Sequence, residues 1–212
     1  MVPLRLALTK GRLEHETLLL LERAGVDCAE ARNPGRRLIL PVPGANLEII
    51  LSKGPDVVTY VEHGVCQLGV VGKDTIMEYG RSCVEAFDLG LGACRFALAA
   101  REGDDFFGSY KTRRVATKYP HVARKYFDGK GMDVEIIKIE GSVELAPLLG
   151  LADGIVDLVS TGETLKANGL IPIDDICPVS ARLIVNVAAM KVRGEEIEGL
   201  VSLFKQGVGA CS

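Results

Sequence analysis

Short apolar runs alternate along this chain with longer stretches whose apolar residues recur at helical spacing. Leu4–Leu8 is the first such run and predicts a strand. Arg12–Ala24 follows as a helix, with Leu13, Leu18, Leu20, Leu21 and Ala24 on its apolar face and Gly25 ending it. Leu38–Leu40 and Leu47–Leu51 predict strands, with Pro41, Pro43 and Gly44 marking the turn between them. Asp56 is placed to cap a helix closing at Gly64. Leu68–Val71 reads as a buried strand leading into a Lys73–Tyr79 helix that stops at Gly80. Beyond it, Arg95–Ala100 and Arg114–Thr117 predict strands around a polar, aromatic loop at Asp104–Tyr110. Tyr119–Asp128 reads as a helix, Val134–Ile139 as a strand, Val143–Leu149 as a helix and Ile155–Val159 as a strand. A Thr164–Asn168 helix closed by Gly169 comes next, then strands at Ile176 and Leu183–Val187 and a final Glu195–Gln206 helix. This alternation predicts α/β layers with mostly parallel sheets.

One stretch is echoed. "GVCQLGVVGKDTIMEYG" from Gly64 and "GIVDLVSTGETLKANG" from Gly154 share a glycine, then Leu68 or Leu158, then Gly72 or Gly162. A threonine (Thr75 or Thr164) and a closing glycine (Gly80 or Gly169) complete each. The echo predicts two similar α/β lobes, each presenting a strand-to-helix turn. If those turns face each other, a ligand belongs in a cleft between the lobes. Chance likeness of two βα units is the alternative.

Composition narrows the picture by exclusion. The 212 residues are 48% apolar and 25% charged, a globular balance. Aromatics make up only 5% with no Trp, and net charge is −3, which disfavours stacking platforms and general nucleic-acid binding. No membrane-length apolar run and no leader-like apolar segment after Met1 can be found, so a cytoplasmic location is expected. Six cysteines without a CxxC pair suit packing thiols better than zinc or disulfides. His15, His63 and His121 lie far apart, which gives a histidine metal site little support.

Candidate chemistry concentrates in the turns. Ser160-Thr161-Gly162-Glu163-Thr164 follows a strand and opens a helix, where small residues and unpaired N–H groups admit a phosphate; an ordinary capped turn is the competing reading. Asp153 and Asp157, four apart, can share one strand face and accept sugar hydroxyls or help hold a cation, or be a turn cap and a plain strand residue. Lys10, Gly11 and Arg12 follow the first strand, Arg36 and Arg37 stand in "NPGRRLIL", and Lys53 in "LSKGPD". Converging, they would make a polyanion site; singly, each is an ordinary surface charge. Neither a nucleophile elbow nor a Walker loop is present, so catalysis by positioning and charge stabilisation is the expectation.

Glu144, Gly150, Ala152, Ile155, Asp157, Leu158, Thr161, Gly162, Thr164 and Leu165 together resemble the signature of ATP phosphoribosyltransferases, the enzymes of the first step of histidine biosynthesis. "LALTKGRL", "DVVTYVEHGVCQLGVVGKDTI", "RVATKYPHVARKYF" and "SARLIVN" extend the resemblance over essentially the whole chain. The resemblance implies two α/β lobes with a cleft between them, similar to type II periplasmic binding proteins. Residues 1–89 with 180–212 would form one lobe and residues 90–179 the other. The short length resembles the short form, a catalytic subunit that works with a histidyl-tRNA-synthetase-like regulatory partner, typically in a hetero-octamer, with a homodimer of catalytic subunits. The implied reaction joins N1 of ATP's adenine to C1 of phosphoribosyl pyrophosphate and expels pyrophosphate, with Mg²⁺ carried by substrate phosphates. Ser160, Thr161, Gly162, Glu163 and Thr164 would then cradle the 5-phosphate. Asp157, Glu144 and Asp153 would hold ribose hydroxyls. Lys10, Arg12 and Arg36 would act catalytically, attracting the polyphosphates and stabilising charge developing on the leaving pyrophosphate, and Lys53 would bind phosphate. Lys53 stands where the family often has arginine, Val58 where it often has proline, and Glu140 where a neutral residue is common. A solute-binding module and an effector-binding domain are the rival readings; both predict binding without turnover.

Overall fold

Strand alternation builds a two-sided sheet in each half of the chain. The computed structural model describes residues 2–79, 82–108 and 111–210. It divides into unit 1, Met1–Gly92 with Ser180–Ser212, and unit 2, Ala93–Val179.

Unit 1 contains β1 (Leu4–Thr9), α1 (Arg12–Arg23), α2 (Ala29–Arg32), β2 (Ile39–Val42), β3 (Leu47–Ser52), α3 (Gly54–Glu62), β4 (Leu68–Gly72), α4 (Lys73–Tyr79) and β5 (Cys83–Asp88). Its sheet is ordered β2-β3-β1-β4-β11-β5, with β11 (Ala181–Asn186) returning late in the chain ahead of α8 (Val187–Val192) and α9 (Gly194–Gly209). Leu6 and Leu8 turn to one face, where Leu18, Leu21, Val70, Leu183 and Phe204 complete a core with α1 and α9. Ala7 turns to the other face, against Val57, Val58 and Val61 of α3. Gly69 permits that packing: a Cβ there would stand 2.8 Å from Val57 Cγ1 and 2.9 Å from Val61 Cγ2.

Unit 2 contains β6 (Cys94–Arg101), β7 (Arg113–Thr117), α5 (Pro120–Gly129), β8 (Val134–Lys138), α6 (Leu145–Leu148), β9 (Gly154–Val159), α7 (Glu163–Ala167) and β10 (Leu170–Val179). The sheet is ordered β10-β6-β9-β7-β8. Ala97, Ala99, Ala116 and Ile155 form one core face with Val143, Ala146 and Leu165 of the α6 and α7 region. On β6 the alternate residues Phe96 and Leu98 are buried too, and Phe96 meets Tyr119 edge-on at 4.9 Å.

The two sheets share one plan. β3-β1-β4-β11-β5 and β8-β7-β9-β6-β10 have the same succession of two parallel and then two antiparallel pairings, with β2 an extra antiparallel edge on unit 1. The sheets are therefore mixed, not mostly parallel. Parallel pairing is confined to one side of each, because β6 and β11 follow directly from chain crossings between units and enter their sheets reversed. The 64/154 echo is out of register with this plan: Leu68 opens β4, whereas Leu158 stands next to last in β9. Gly80, which closes the first half of the echo, lies outside the described residues, as do Tyr110 of the aromatic loop and Cys211.

Several elements depart from the expected boundaries. Pro41 lies inside β2, tolerated because β2 is an edge strand, and the turn runs after it. Asp56 sits in the first turn of α3, whose cap position is Lys53, because Pro55 suits the helix start. β5 and most of β10 carried no strand signal: β5 has little burial, and β10 contains Pro172 and Pro178 on an edge. α2 and α8 are too short for a periodic signal, and Val187 opens α8 instead of ending a strand.

Candidate active site

In sheets of this kind, ligands bind beyond the carboxyl ends of the parallel strands. Each unit presents such an edge, and the sequence-selected residues distribute over both.

In unit 1 the edge is formed by the ends of β1, β3 and β4. The Thr9 hydroxyl donates to Val70 O at 3.0 Å, and the Lys10 N–H donates to Ser52 O at 2.9 Å, so the chain is held until Lys10 and then leaves the sheet. Gly11, at φ 101, makes the turn that only glycine makes easily, and its N–H donates to Glu14 Oε2 at 3.2 Å to start α1. Lys10 and Arg12 are exposed. Arg12 Nε pairs with Glu16 at 3.3 Å, and its Nη2 would lie 2.9 Å from a Cβ added at Gly92. Lys53 is exposed at the cap position of α3. Arg36 is exposed in the segment before β2, two residues ahead of Leu38, whose carbonyl accepts from Leu51 N at the end of β3. The fold thus gathers Lys10, Arg12, Arg36 and Lys53 at one edge. Arg37 pairs with Glu30 at 3.0 Å, and Arg32 makes a two-pronged pair with Glu22 at 2.5 Å on each arm, so these two brace the local structure. A cavity of about 390 Å³ opens beside the turn, lined by Gly11, Glu14, His15, Leu18, Arg32 and Asn33.

In unit 2 the edge is formed by the ends of β7, β8 and β9. Ser160 and Thr161 are exposed, Gly162 takes the left-handed conformation at φ 82, and Thr161 Oγ1 accepts from Glu163 N at 3.4 Å. Thr164 is exposed in α7, its carbonyl taken by Asn168 Nδ2 at 2.8 Å. Arg95 steadies the loop from behind: its Nη1 donates to Ser160 O at 3.5 Å while its Nε pairs with Asp175 at 2.6 Å.

Asp157 faces Ala97 across the β6–β9 ladder, on the face that carries Ile155 and Val159. Burial pushes its carboxyl above the ordinary carboxylate range. The Leu158 N–H draws it back, nearby Glu144 adds to the rise, and Lys118 opposes it. Glu144 is half-buried at the start of α6. Asp157 and Glu144 therefore share one electrostatic neighbourhood. Asp153 is differently engaged: its Oδ2 accepts from Arg114 N at 2.8 Å and stands 3.7 Å from Arg114 Nε, tying the entry of β9 to β7. Lys118, exposed at the end of β7, was not singled out from sequence, although the recurrence of Thr-Lys at 9–10 and 117–118 was there to find.

Residues 53–206 match the family described as ATP phosphoribosyltransferase. A protein of that name from Clostridium kluyveri is 55% identical over 199 residues, covering 94% of this chain and 91% of its own. The chain belongs to the ATP phosphoribosyltransferase family. A relative of that name from Bacillus mycoides is 50% identical over 205 residues, covering 97% of both chains. Among solved structures, a chain of the ATP phosphoribosyl transferase (HisG:HisZ) complex from Thermotoga maritima superposes with a TM-score of 0.85 at 31% identity, over 98% of this chain and 99% of that one. The alkanesulfonate-binding protein SsuA from Xanthomonas axonopodis pv. citri, bound to MOPS, shares the fold at a TM-score of 0.55 and 12% identity, over 98% of this chain and 73% of that one. The architecture is thus that of type II periplasmic-binding-protein-like folds, carrying the pentosyl transfer of the first step of histidine biosynthesis. No helix among the described residues is long and apolar enough to cross a membrane.

Proposed function

We propose that the two edges divide the ATP phosphoribosyltransferase reaction between them. The observation that carries this reading is the small-residue turn Ser160–Thr164 standing after β9, beside Asp157 and Glu144, in a chain of this family. In this reading Ser160, Thr161, Gly162, Glu163 and Thr164 take the 5-phosphate of phosphoribosyl pyrophosphate. Asp157 and Glu144 accept hydrogen bonds from its ribose hydroxyls. Asp153 serves them indirectly, by fixing β9 against β7.

The adenine N1 lone pair of ATP then forms a bond to C1 as the C1–oxygen bond breaks and its electron pair leaves on pyrophosphate. Lys10, Arg12, Arg36 and Lys53 supply positive charge for the ATP polyphosphate and for the charge growing on pyrophosphate. Arg12 and Arg36 can grip two oxygens at once, whereas Lys53 acts as a point charge. The family's chemistry uses a metal ion, and we assign Mg²⁺, carried by the substrate phosphates. Among the described residues no three His, Cys, Asp or Glu side chains converge. Mg²⁺ would neutralise phosphate charge when bound.

The regulatory partner belongs to the same proposal. The structural relative comes from a HisG:HisZ complex. We infer that this chain works in the cytoplasm with a histidyl-tRNA-synthetase-like regulatory subunit, as homodimers within a hetero-octamer. Calorimetric titration with phosphoribosyl pyrophosphate and Mg²⁺ tests the site. Asp157→Asn, close in shape, is expected to weaken binding about tenfold, the loss of a charged hydrogen bond. Unchanged affinity in a folded variant would remove Asp157 from the site.

A further inference from the structure

The two carboxyl edges repeat a detail that lies outside the 144–165 signature. β1 ends in Thr9-Lys10 and β7, its counterpart in the shared sheet plan, ends in Thr117-Lys118. Both threonine hydroxyls donate sideways to a carbonyl of the adjoining parallel strand, Thr9 to Val70 O at 3.0 Å and Thr117 to Val156 O at 2.6 Å. Thr117 Oγ1 also accepts from Tyr119 N at 2.9 Å, so the backbone is fixed on both sides of Lys118. A threonine tied in this way ends the strand at a fixed depth and sends the next side chain beyond the sheet edge. Lys118 is exposed there. β7 lies between β8 and β9, so this lysine stands between the β9 turn at Ser160–Gly162 and the β8 turn at Glu140–Ser142.

We propose that Lys118 binds a phosphate group of phosphoribosyl pyrophosphate in unit 2, as the counterpart of Lys10 in unit 1. The carboxylates around it support the assignment. Asp157, held above the ordinary carboxylate range chiefly by burial, feels its charge, and Glu140, paired with Lys138 at 2.8 Å, feels it more weakly, so Lys118 sets a positive charge beside the acids that a polyanionic substrate would meet at this edge. Two further cations of this edge are committed elsewhere: Arg95 to Asp175 and the Ser160 carbonyl, and Lys138 to Glu140. Which end of the substrate Lys118 meets, the 5-phosphate or the pyrophosphate, is left to the experiment. This inference rests on placing the sugar phosphate at the β9 turn.

The test titrates the full chain with phosphoribosyl pyrophosphate and Mg²⁺, and separately with ribose 5-phosphate, with Mg²⁺-pyrophosphate and with ATP. Lys118→Ala is expected to raise the Kd for phosphoribosyl pyrophosphate about tenfold, as the loss of one charged phosphate contact would. The Kd for ATP should stay unchanged, and Lys118→Arg should recover most of the loss. Lys125→Ala, which removes an exposed charge from α5, should leave all four affinities alone. Weakening confined to ribose 5-phosphate would assign Lys118 to the 5-phosphate; weakening confined to pyrophosphate would assign it to the leaving group. If Asp157→Asn weakens phosphoribosyl pyrophosphate binding and Lys118→Ala does not, the inference is overturned and the turn assignment stands. If neither does, the turn assignment fails and takes the inference with it.

Discussion

The edges of unit 1 and unit 2 grow from the same five-strand plan, each with a Thr-Lys pair at the end of a central strand, yet they carry opposite chemistry. The unit 1 edge bears exposed cations, Lys10, Arg12, Arg36 and Lys53. The unit 2 edge bears small hydroxyl residues and the half-buried carboxylates Asp157 and Glu144, with Lys118 exposed beyond the end of β7. One strand plan thus carries two different sets of turn residues. The energetic characters differ as well. The unit 1 cations are solvated and cost little to keep, whereas Asp157 is held above its ordinary titration range by burial. A group held in an unfavourable charge state by the fold is one that stability alone would not select.

The sharpest way to break the comparison is to remove one cation from the unit 1 edge. Arg12→Ala, measured in steady-state turnover, is expected to lower kcat by about 10²-fold, the scale of losing one group that stabilises leaving-group charge. Its guanidinium is exposed although Glu16 is half-buried, so the lost pairing should cost the fold only about 0–1 kcal/mol. Asp153→Ala should do the reverse. It deprives the Arg114 N–H of its acceptor, while the guanidinium keeps the Gly150 carbonyl, and should destabilise the chain by about 1–3 kcal/mol in urea, with turnover per folded molecule kept.

Asp157 predicts a pH signature. Its carboxyl titrates above the ordinary 3.8, and ribose binding requires the ionised form, so affinity falls as pH falls through that raised value. The acid limb of phosphoribosyl pyrophosphate binding should therefore lie above pH 3.8 and vanish in Asp157→Asn. For folding the sign is opposite. A raised acid disfavours the folded state once the pH exceeds the unfolded value, so Asp157→Asn at neutral pH should melt no lower than the parent chain. The smallest effect is expected from Lys53→Arg. Restoring a two-pronged cation should tighten ATP or pyrophosphate binding by about two- to threefold, read by titration.

Much of this was legible in residues 150–170, because a β-branched run bounded by glycines and followed by Ser-Thr-Gly-Glu-Thr encodes both the strand and its turn locally. The α/β class followed from the same local signals. Strand direction did not. Whether a strand lies parallel depends on the chain crossings that deliver β6 and β11, which no local pattern records. Sequence spacing put Asp153 and Asp157 together, and the fold parted their partners, since Arg114 on another strand claims Asp153. Lys118 escaped because its importance is positional: only the common sheet plan makes it the equivalent of Lys10.

A crystal structure of the chain with phosphoribosyl pyrophosphate and Mg²⁺ tests the central claim most directly. The 5-phosphate should lie within about 3 Å of the backbone N–H groups of residues 161–164, with the ribose hydroxyls on the Asp157 carboxylate. Density placing the sugar phosphate on the unit 1 cations, with the β9 turn empty of ligand, would contradict this division of labour.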